Sequence, residues 1–294
     1  MTHVATLIGP ANALTPATLA LARASVPGTS EPKRLGPDAA DISFTLSAGV
    51  DQRSIAEHLR ELVGDVDVVV QPIANRRKKL FLADMDSTMI DQECIDELAD
   101  FAGFKDHVAA ITERAMRGEI AFEPALRERV ALLKDLPTAT IGEVLAKRIT
   151  LTPGARTLVA TMRANGAYTC MVSGGFTLFT QPIAALIGFD ETRANTLVLD
   201  GGVLAGIVSE PIFGRTHKRD TLIELRTRLK LGKDDTLVAG DGANDMDMIA
   251  EAGLGVAYHA KPTVAAAAPA RIDHGDLTAL LYVQGYKREE FVEA

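Results

Sequence analysis

The chain has 294 residues, with 39 acidic and 31 basic side chains and a net charge of −8. That length suits one large or two ordinary domains, and a composition of 47% hydrophobic and 24% charged residues excludes a largely disordered chain. The acidic balance argues against a nucleic-acid partner, because phosphate backbones are bound through Lys and Arg, yet it leaves room for a small anion in a locally positive site.

From the N-terminus, a short apolar strand near residues 3–8 leads past Pro10 to a helix over 16–24. A strand near 32–36 precedes ISFTLS (42–47), which alternates as a strand should. Asp51 is placed to cap the helix SIAEHLRELVG, and VDVVVQPI (66–73) is a β-branched strand. The order β-α-β-β-α-β predicts a small α+β unit of the ferredoxin-like kind over residues 1–75. The basic run 76–79 reads as a solvated linker. From there, apolar strands alternate with helices, the pattern of a parallel α/β sheet over 76–294.

Three of these strands, KLFLAD (79–84), AYTCMVSGG (167–175) and DTLVAGDG (235–242), end in polar or Gly-rich turns, where open α/β folds bind ligands. A helical insertion rich in Arg and Glu occupies about 91–150. A hairpin over 194–210 turns at Asp200-Gly201, and the Ala run 265–268 belongs to a helix. Cys94 and Cys170 lack metal-ligand spacing and predict reduced thiols in a cytoplasmic protein. No signal peptide is read, because the N-terminal stretch lacks a basic n-region and Pro10 and Pro16 interrupt it. No apolar run reaches the roughly 20 residues of a membrane span.

In DMDST (84–88), Asp84 and Asp86 are two residues apart on an extended chain and can face one ligand. Carboxylates that close repel unless a cation or a proton separates them, so one can serve as nucleophile or metal ligand while the other carries a proton. In GDGANDMDM (240–248), Asp241 stands at a strand end, between glycines that let the backbone approach a ligand, while Asn244 and Asp245 also suit a helix cap. Asp241 can supply a second carboxylate to a hard cation such as Mg²⁺. Ser173-Gly174-Gly175 can cradle an anion or form an ordinary turn, and Lys218 competes with Arg215 and Arg219 as the cation for a phosphoryl group.

Taken in order, DxDxT, SGG, Lys and GDGAND resemble the haloacid dehalogenase-like phosphatases over residues 79–283. VSGGF, GDGANDM and RAMRGEIAFEPALRERVALLKDLP (114–137) are similar to the phosphoserine phosphatases among them. The resemblance implies a Rossmann-like parallel sheet with an inserted helical cap, and Mg²⁺-dependent hydrolysis of O-phospho-L-serine as the last step of serine synthesis. It implies Asp84 as the nucleophile that becomes an aspartyl-phosphate and Asp86 as the acid and then the base. It places Mg²⁺ on Asp84, the main-chain carbonyl of Asp86, and Asp241, with Asp245 supporting that shell. Ser173, Gly174 and Lys218 would hold the phosphoryl oxygens, and Asn244 would contact substrate or water. Glu93 would read the substrate ammonium and Arg129 its carboxylate, with Arg127 the alternative in the event of a register slip. Met116 and Phe122 would be apolar positions of the lid. The N-terminal unit resembles the ACT-like regulatory modules of some members, with amino-acid binding, dimerisation or neither open to it. Alternatives that stay open are another small phosphate monoester, phosphoryl transfer to an alcohol, a phospho-acceptor module and an amino-acid sensor.

Overall fold

The computed structural model describes residues 1–10, 12–116 and 119–293, the side chain of Met116 excepted. The chain opens with β1 (His3–Ile8), α1 (Pro16–Ser25), β2 (Lys33–Arg34), β3 (Ala39–Phe44), α2 (Gln52–Val63) and β4 (Asp67–Pro72). These strands form an antiparallel sheet in the order β2-β3-β1-β4, the expected β-α-β-β-α-β arrangement. Both faces of this sheet are covered. Ala5, Leu7, Val68 and Val70 pack with Leu19, Ala22, Ala56 and Leu59 of the two helices. Ile8, Ala39 and Val69, on the opposite face, join the large core cluster that contains Leu280 and Tyr282. A strand with both faces buried needs no alternation, which is why the valines of β4 run together.

Next come β5 (Leu80–Ala83), the insertion helices α3 (Cys94–Phe101), α4 (Lys105–Met116), α5 (Phe122–Ala131) and α6 (Ala139–Lys147), and then α7 (Ala155–Ala164), β6 (Tyr168–Phe176), α8 (Thr177–Ile187) and β7 (Glu191–Asn195). A hairpin, β8 (Leu197–Asp200) and β9 (Val203–Val208), precedes α9 (Arg215–Arg228), β10 (Thr236–Gly240), α10 (Met246–Glu251), β11 (Leu254–Tyr258), α11 (Pro262–Ala267), β12 (Ala270–Ile272) and α12 (Ala279–Val283). Six strands form one parallel sheet in the order β12-β11-β10-β5-β6-β7. The chain leaves β5 for β6 and β7, then returns past it to β10. The crevice at the carboxyl end of β5 is therefore the topological switch point. Leu80 and Leu82 face one core cluster while Phe81 and Ala83 face the other, so helices cover both sides of the sheet. No helix among the described residues is long and apolar enough to cross a membrane.

Three sequence expectations need correction. The hairpin turns at Gly201-Gly202, one residue later than read, with φ of 56° and 92°. Such a turn needs positive φ at both central residues, which two glycines adopt more readily than Asp200. The strand expected at 42–47 spans Ala39–Phe44, because β1 begins at His3 opposite Phe44 and pairs onward to Ala39, offering Thr45 no strand partner. The basic run is an interface, not a solvated linker. Arg76 donates from Nη1 to Asp41 Oδ2 at 2.7 Å, from Nη2 to Asp41 Oδ1 and Thr6 Oγ1 at 2.9 and 2.7 Å, and from Nε to the Val283 carbonyl at 3.0 Å. Lys78 is buried and donates to the Asp234 carbonyl at 2.7 Å, and the Arg77 guanidinium lies 4.1 Å from the Tyr286 ring centre. Charged side chains survive such burial only with this density of partners.

Arg76→Ala strands the Asp41 carboxylate against α12 and is expected to cost about 3 kcal/mol. The urea midpoint measures it, and a loss under about 1 kcal/mol would show that the guanidinium is replaceable by water.

Candidate active site

The pairing of Ala83 with Ala239 on one side and Met171 on the other brings three strand ends level, so Asp84, Ser173 and Asp241 emerge into one crevice. At its base lies Lys218 of α9, fully buried, with Nζ 2.7 Å from Asp84 Oδ1 and 2.8 Å from Asp245 Oδ1. Burial works against the ammonium, but Asp245 and Asp84 outweigh it and keep its pKa above the usual lysine range. The loop after β10 folds back so that Asp245 accepts from the Gly242 N–H at 3.1 Å. A Cβ on Gly240 would fall 2.5 Å from Asp245 Cγ, so glycine there makes room for a carboxylate of the protein itself.

Carboxylate oxygens of Asp84, Asp241 and Asp245 lie within 4.8 Å of one another, all on buried residues. One ammonium cannot neutralise three such groups. Burial and then the Asp245 carboxylate push Asp84 well up from the ordinary range, and the same two causes raise Asp241 to about 6. A divalent cation would relieve this strain in charge, and an all-oxygen donor set suits a hard ion. The residues therefore fit a metal.

Asp86 points away from that cluster. Its Oδ1 accepts from the Cys94 N–H at 2.8 Å and its Oδ2 from the Ser173 hydroxyl at 3.0 Å, while burial raises its pKa. The Ser173 oxygen also accepts from the Gly175 N–H at 2.8 Å, so it is engaged with Asp86 and with its own turn. Ser87 takes the left-handed conformation, φ 53°, and donates to Glu93 Oε1 at 2.9 Å. Glu93 stands at the N-terminus of α3, where desolvation and then the Asp86 carboxylate push it up to about 7.

Above these groups is a cavity of about 300 Å³. Asp84, Asp86, Gly174 and Asp241 line it from the sheet side, and Glu93, Asp96, Thr112, Phe122, Leu126 and Arg129 from the insertion. Asn244 and Lys261 complete one flank. Among the expected site residues, Ser173, Lys218 and Asp245 lie behind the lining rather than in it, and the Met116 side chain lies outside the described residues. Arg127 faces outward to Glu210 and Glu123. Two residues on a helix differ by about 200° in direction, so Arg129 and Arg127 cannot exchange roles. Sequence reading missed Asp96, Thr112 and Lys261. Asp96 follows Glu93 by three residues on one helix face, and Lys261 follows the apolar strand β11, so both carried a signal. Thr112 carried none.

A family model of haloacid dehalogenase-like hydrolases matches residues 81–250. A phosphoserine phosphatase from Polaromonas sp. is 48% identical over 208 residues, 69% of this chain and 88% of that protein. The crystal structure of a probable phosphoserine phosphatase from Vibrio cholerae superposes with a TM-score of 0.78 at 31% identity, covering 98% of this chain and 88% of that one. A substrate-bound phosphoserine phosphatase complex gives 0.65 at 38% identity, covering 70% and 97%.

The raised carboxyl groups make stability depend on pH. Folded, without a cation, Glu93 and Asp241 hold protons up to about 7 and about 6, whereas unfolded they release them near 4.5 and 3.8. Between those limits the folded state binds more protons, so stability falls as pH rises. Acids depressed by surface ion pairs, such as Glu191 at about 2, titrate below this window. Thermal midpoints in EDTA are expected to fall from about pH 5 to about pH 8 and to flatten with millimolar Mg²⁺. A midpoint that climbs with pH in EDTA would contradict the cluster's desolvation.

Proposed function

Because the chain belongs to the haloacid dehalogenase-like hydrolase family, we propose that it is a Mg²⁺-dependent phosphoserine phosphatase that releases L-serine and phosphate from O-phospho-L-serine in serine synthesis. The observation that carries this reading is the pairing of two different readers in one cavity. Glu93 and Arg129 offer an anion and a cation beside the strand-end carboxylates, and a phosphorylated amino acid presents an ammonium, a carboxylate and a phosphoryl group. Arg suits the carboxylate because its planar fork can donate two parallel hydrogen bonds.

Asp84 attacks phosphorus as the P–O bond to the serine oxygen breaks, giving an aspartyl-phosphate. Asp86, whose pKa is raised by burial, gives its proton to the departing alkoxide. It then takes a proton from the water that attacks the acyl-phosphate, restoring the Asp84 carboxylate and freeing phosphate. Asp84, Asp241, Asp245 and the main-chain carbonyl of Asp86 would hold Mg²⁺, which neutralises the repulsion between carboxylate and phosphoryl oxygens. Lys218 and the Gly174 N–H hold phosphoryl oxygens, and Ser173 joins them by turning its hydroxyl from Asp86. Asn244 contacts the substrate or the water from the flank, while Phe122 closes the cavity against bulk water. Residues 1–75 form a unit of their own against 76–294, with 91–150 as the cap. Two free, buried cysteines suit the cytoplasm.

Phosphate release from a panel of monoesters tests the reading, with Mg²⁺ or EDTA, for wild type and Asp84→Asn. A Mg²⁺-dependent preference for phosphoserine that Asp84→Asn abolishes is expected. Turnover of other esters alone would keep the Asp84 chemistry and discard the roles of Glu93 and Arg129. Arg129→Ala is expected to raise the KM for phosphoserine about tenfold or more, the loss of a hydrogen bond to a charged group, with little change for O-phosphoethanolamine.

A further inference from the structure

Thr112 lies in α4 and lines the cavity, as do Asp96, Leu126 and Arg129. Its Oγ1 is buried and has no hydrogen-bond partner among the described residues. A helical threonine ordinarily satisfies its hydroxyl on the carbonyl four residues back. Thr221 and Thr227 do so here, donating to His217 and Ile223 carbonyls at 2.7 and 2.8 Å. Thr112 makes no such bond to Val108, so its hydroxyl is left without the contact its own helix offers. Other buried polar atoms are orphaned too, on Arg60, Thr180, Thr192, Arg226 and Arg271, but none of those residues lines this cavity. An unmade buried hydrogen bond destabilises the free protein, and a ligand able to complete it recovers that loss on binding.

We propose that the Thr112 hydroxyl donates to the substrate carboxylate alongside the Arg129 guanidinium, making Thr112 a residue that selects amino-acid phosphates over amine phosphates. The inference rests on the phosphoserine reading above and deepens it. The partner is the carboxylate because Thr112 and Arg129 both line the cavity from the insertion, on the neighbouring helices α4 and α5, and Arg129 is the insertion's cation there, while the ammonium is drawn to Glu93. Ile95 and Leu126 surround the contact with apolar atoms, where a hydrogen bond to a charged group is strengthened. A site that hydrogen-bonds a substrate group rejects the analogue lacking it, because its own polar atom is then left unpaired.

Thr112→Val replaces the hydroxyl by a methyl of similar size, and Thr112→Ala removes it with less crowding. Both are expected to raise the KM for O-phospho-L-serine about tenfold with kcat nearly unchanged. Affinity for O-phosphoethanolamine, read as KM or as its inhibition constant against p-nitrophenyl phosphate, stays at the wild-type value. Thr112→Ser restores phosphoserine binding, and unliganded Thr112→Val melts no lower than wild type, since no satisfied polar contact is lost. An unchanged phosphoserine KM in the hydroxyl-free variants, or an equal rise for both ligands, would overturn the proposal and leave the phosphoserine reading intact. Absence of phosphoserine turnover in wild type would overturn both.

Discussion

The clustered carboxylates of Asp84, Asp241 and Asp245, with Asp86 next to them, and the Lys218 ammonium held against Asp84 and Asp245 are the constraint around which the protein is arranged. Desolvating ions costs several kcal/mol each, and three clustered carboxylates against one ammonium leave a deficit that local hydrogen bonds cannot close. The chain spends its best donors on it. The Met85 N–H donates to Asp84 at 2.7 Å, the Gly242 N–H to Asp245, and the Cys94 N–H, at the start of α3, to Asp86. That a helix begins at Cys94 is thus part of the electrostatics, because free N–H groups and the positive end of the helix dipole meet the carboxylate there. What remains is the demand for a cation, and the protein's chemistry follows from that remaining demand.

Holding like charges together requires a scaffold stiffer than the repulsion. The parallel sheet supplies it, since β5 is hydrogen-bonded on both sides and packed on both faces. The opposite wall of the cavity comes from α3, α4 and α5 of the insertion, whose two ends are tied together where they leave and rejoin the sheet domain. There Ile90 bridges Leu151, the Asp91 N–H donates to the Thr150 carbonyl at 3.1 Å, and the Thr152 N–H donates to that of Met89 at 3.1 Å. Gln92 and Thr150 exchange two further hydrogen bonds at 2.7 and 2.9 Å. The 89–92 side of this clasp lies in the chain between Asp86, at the end of the sheet strand, and Glu93, at the start of the insertion helices.

How far the sequence revealed this depended on whether a residue's role was local. Asp84, Asp86 and Asp241 announce themselves because a carboxylate at the end of an apolar strand is locally anomalous. Glu93, Arg129 and Lys218 do not: a first-turn acid, a helical Arg and a helical Lys are ordinary, and the resemblance to a family, not spacing, singled them out. Thr112 has no sequence signal, since an unpaired hydroxyl exists only relative to the surfaces of α3 and α5. The run 76–79 misled for the same reason. Four basic residues look solvated until the partner surface, Asp41 and the end of α12, is known to lie 35 and more than 200 residues away in the chain.

That buried contact also changes how the N-terminal sheet relates to the rest. Asp67, at the start of β4, accepts the N–H groups of Asp273 and Gly275, each at 2.7 Å, and so holds the loop that follows β12. Tyr282 donates to Asp38 at 2.6 Å, and Gln71 donates to the Val283 carbonyl at 2.6 Å. Between these polar ties, Ile8 and Val69 belong to the same apolar cluster as Met85 and Met89, which follow Asp84 in the chain. A surface of this kind, apolar at its centre and with its buried charges paired, resembles a core divided between two sheets more than a tether between independent bodies. Separating them would expose Arg76, Asp41 and Asp67 together, and would cost Arg76 its bond to the Val283 carbonyl and Asp67 its bonds to the N–H groups of Asp273 and Gly275. The N-terminal sheet is therefore held to the strand-end carboxylates through packed side chains, and a force that shifts it acts on the same cluster that backs Asp84.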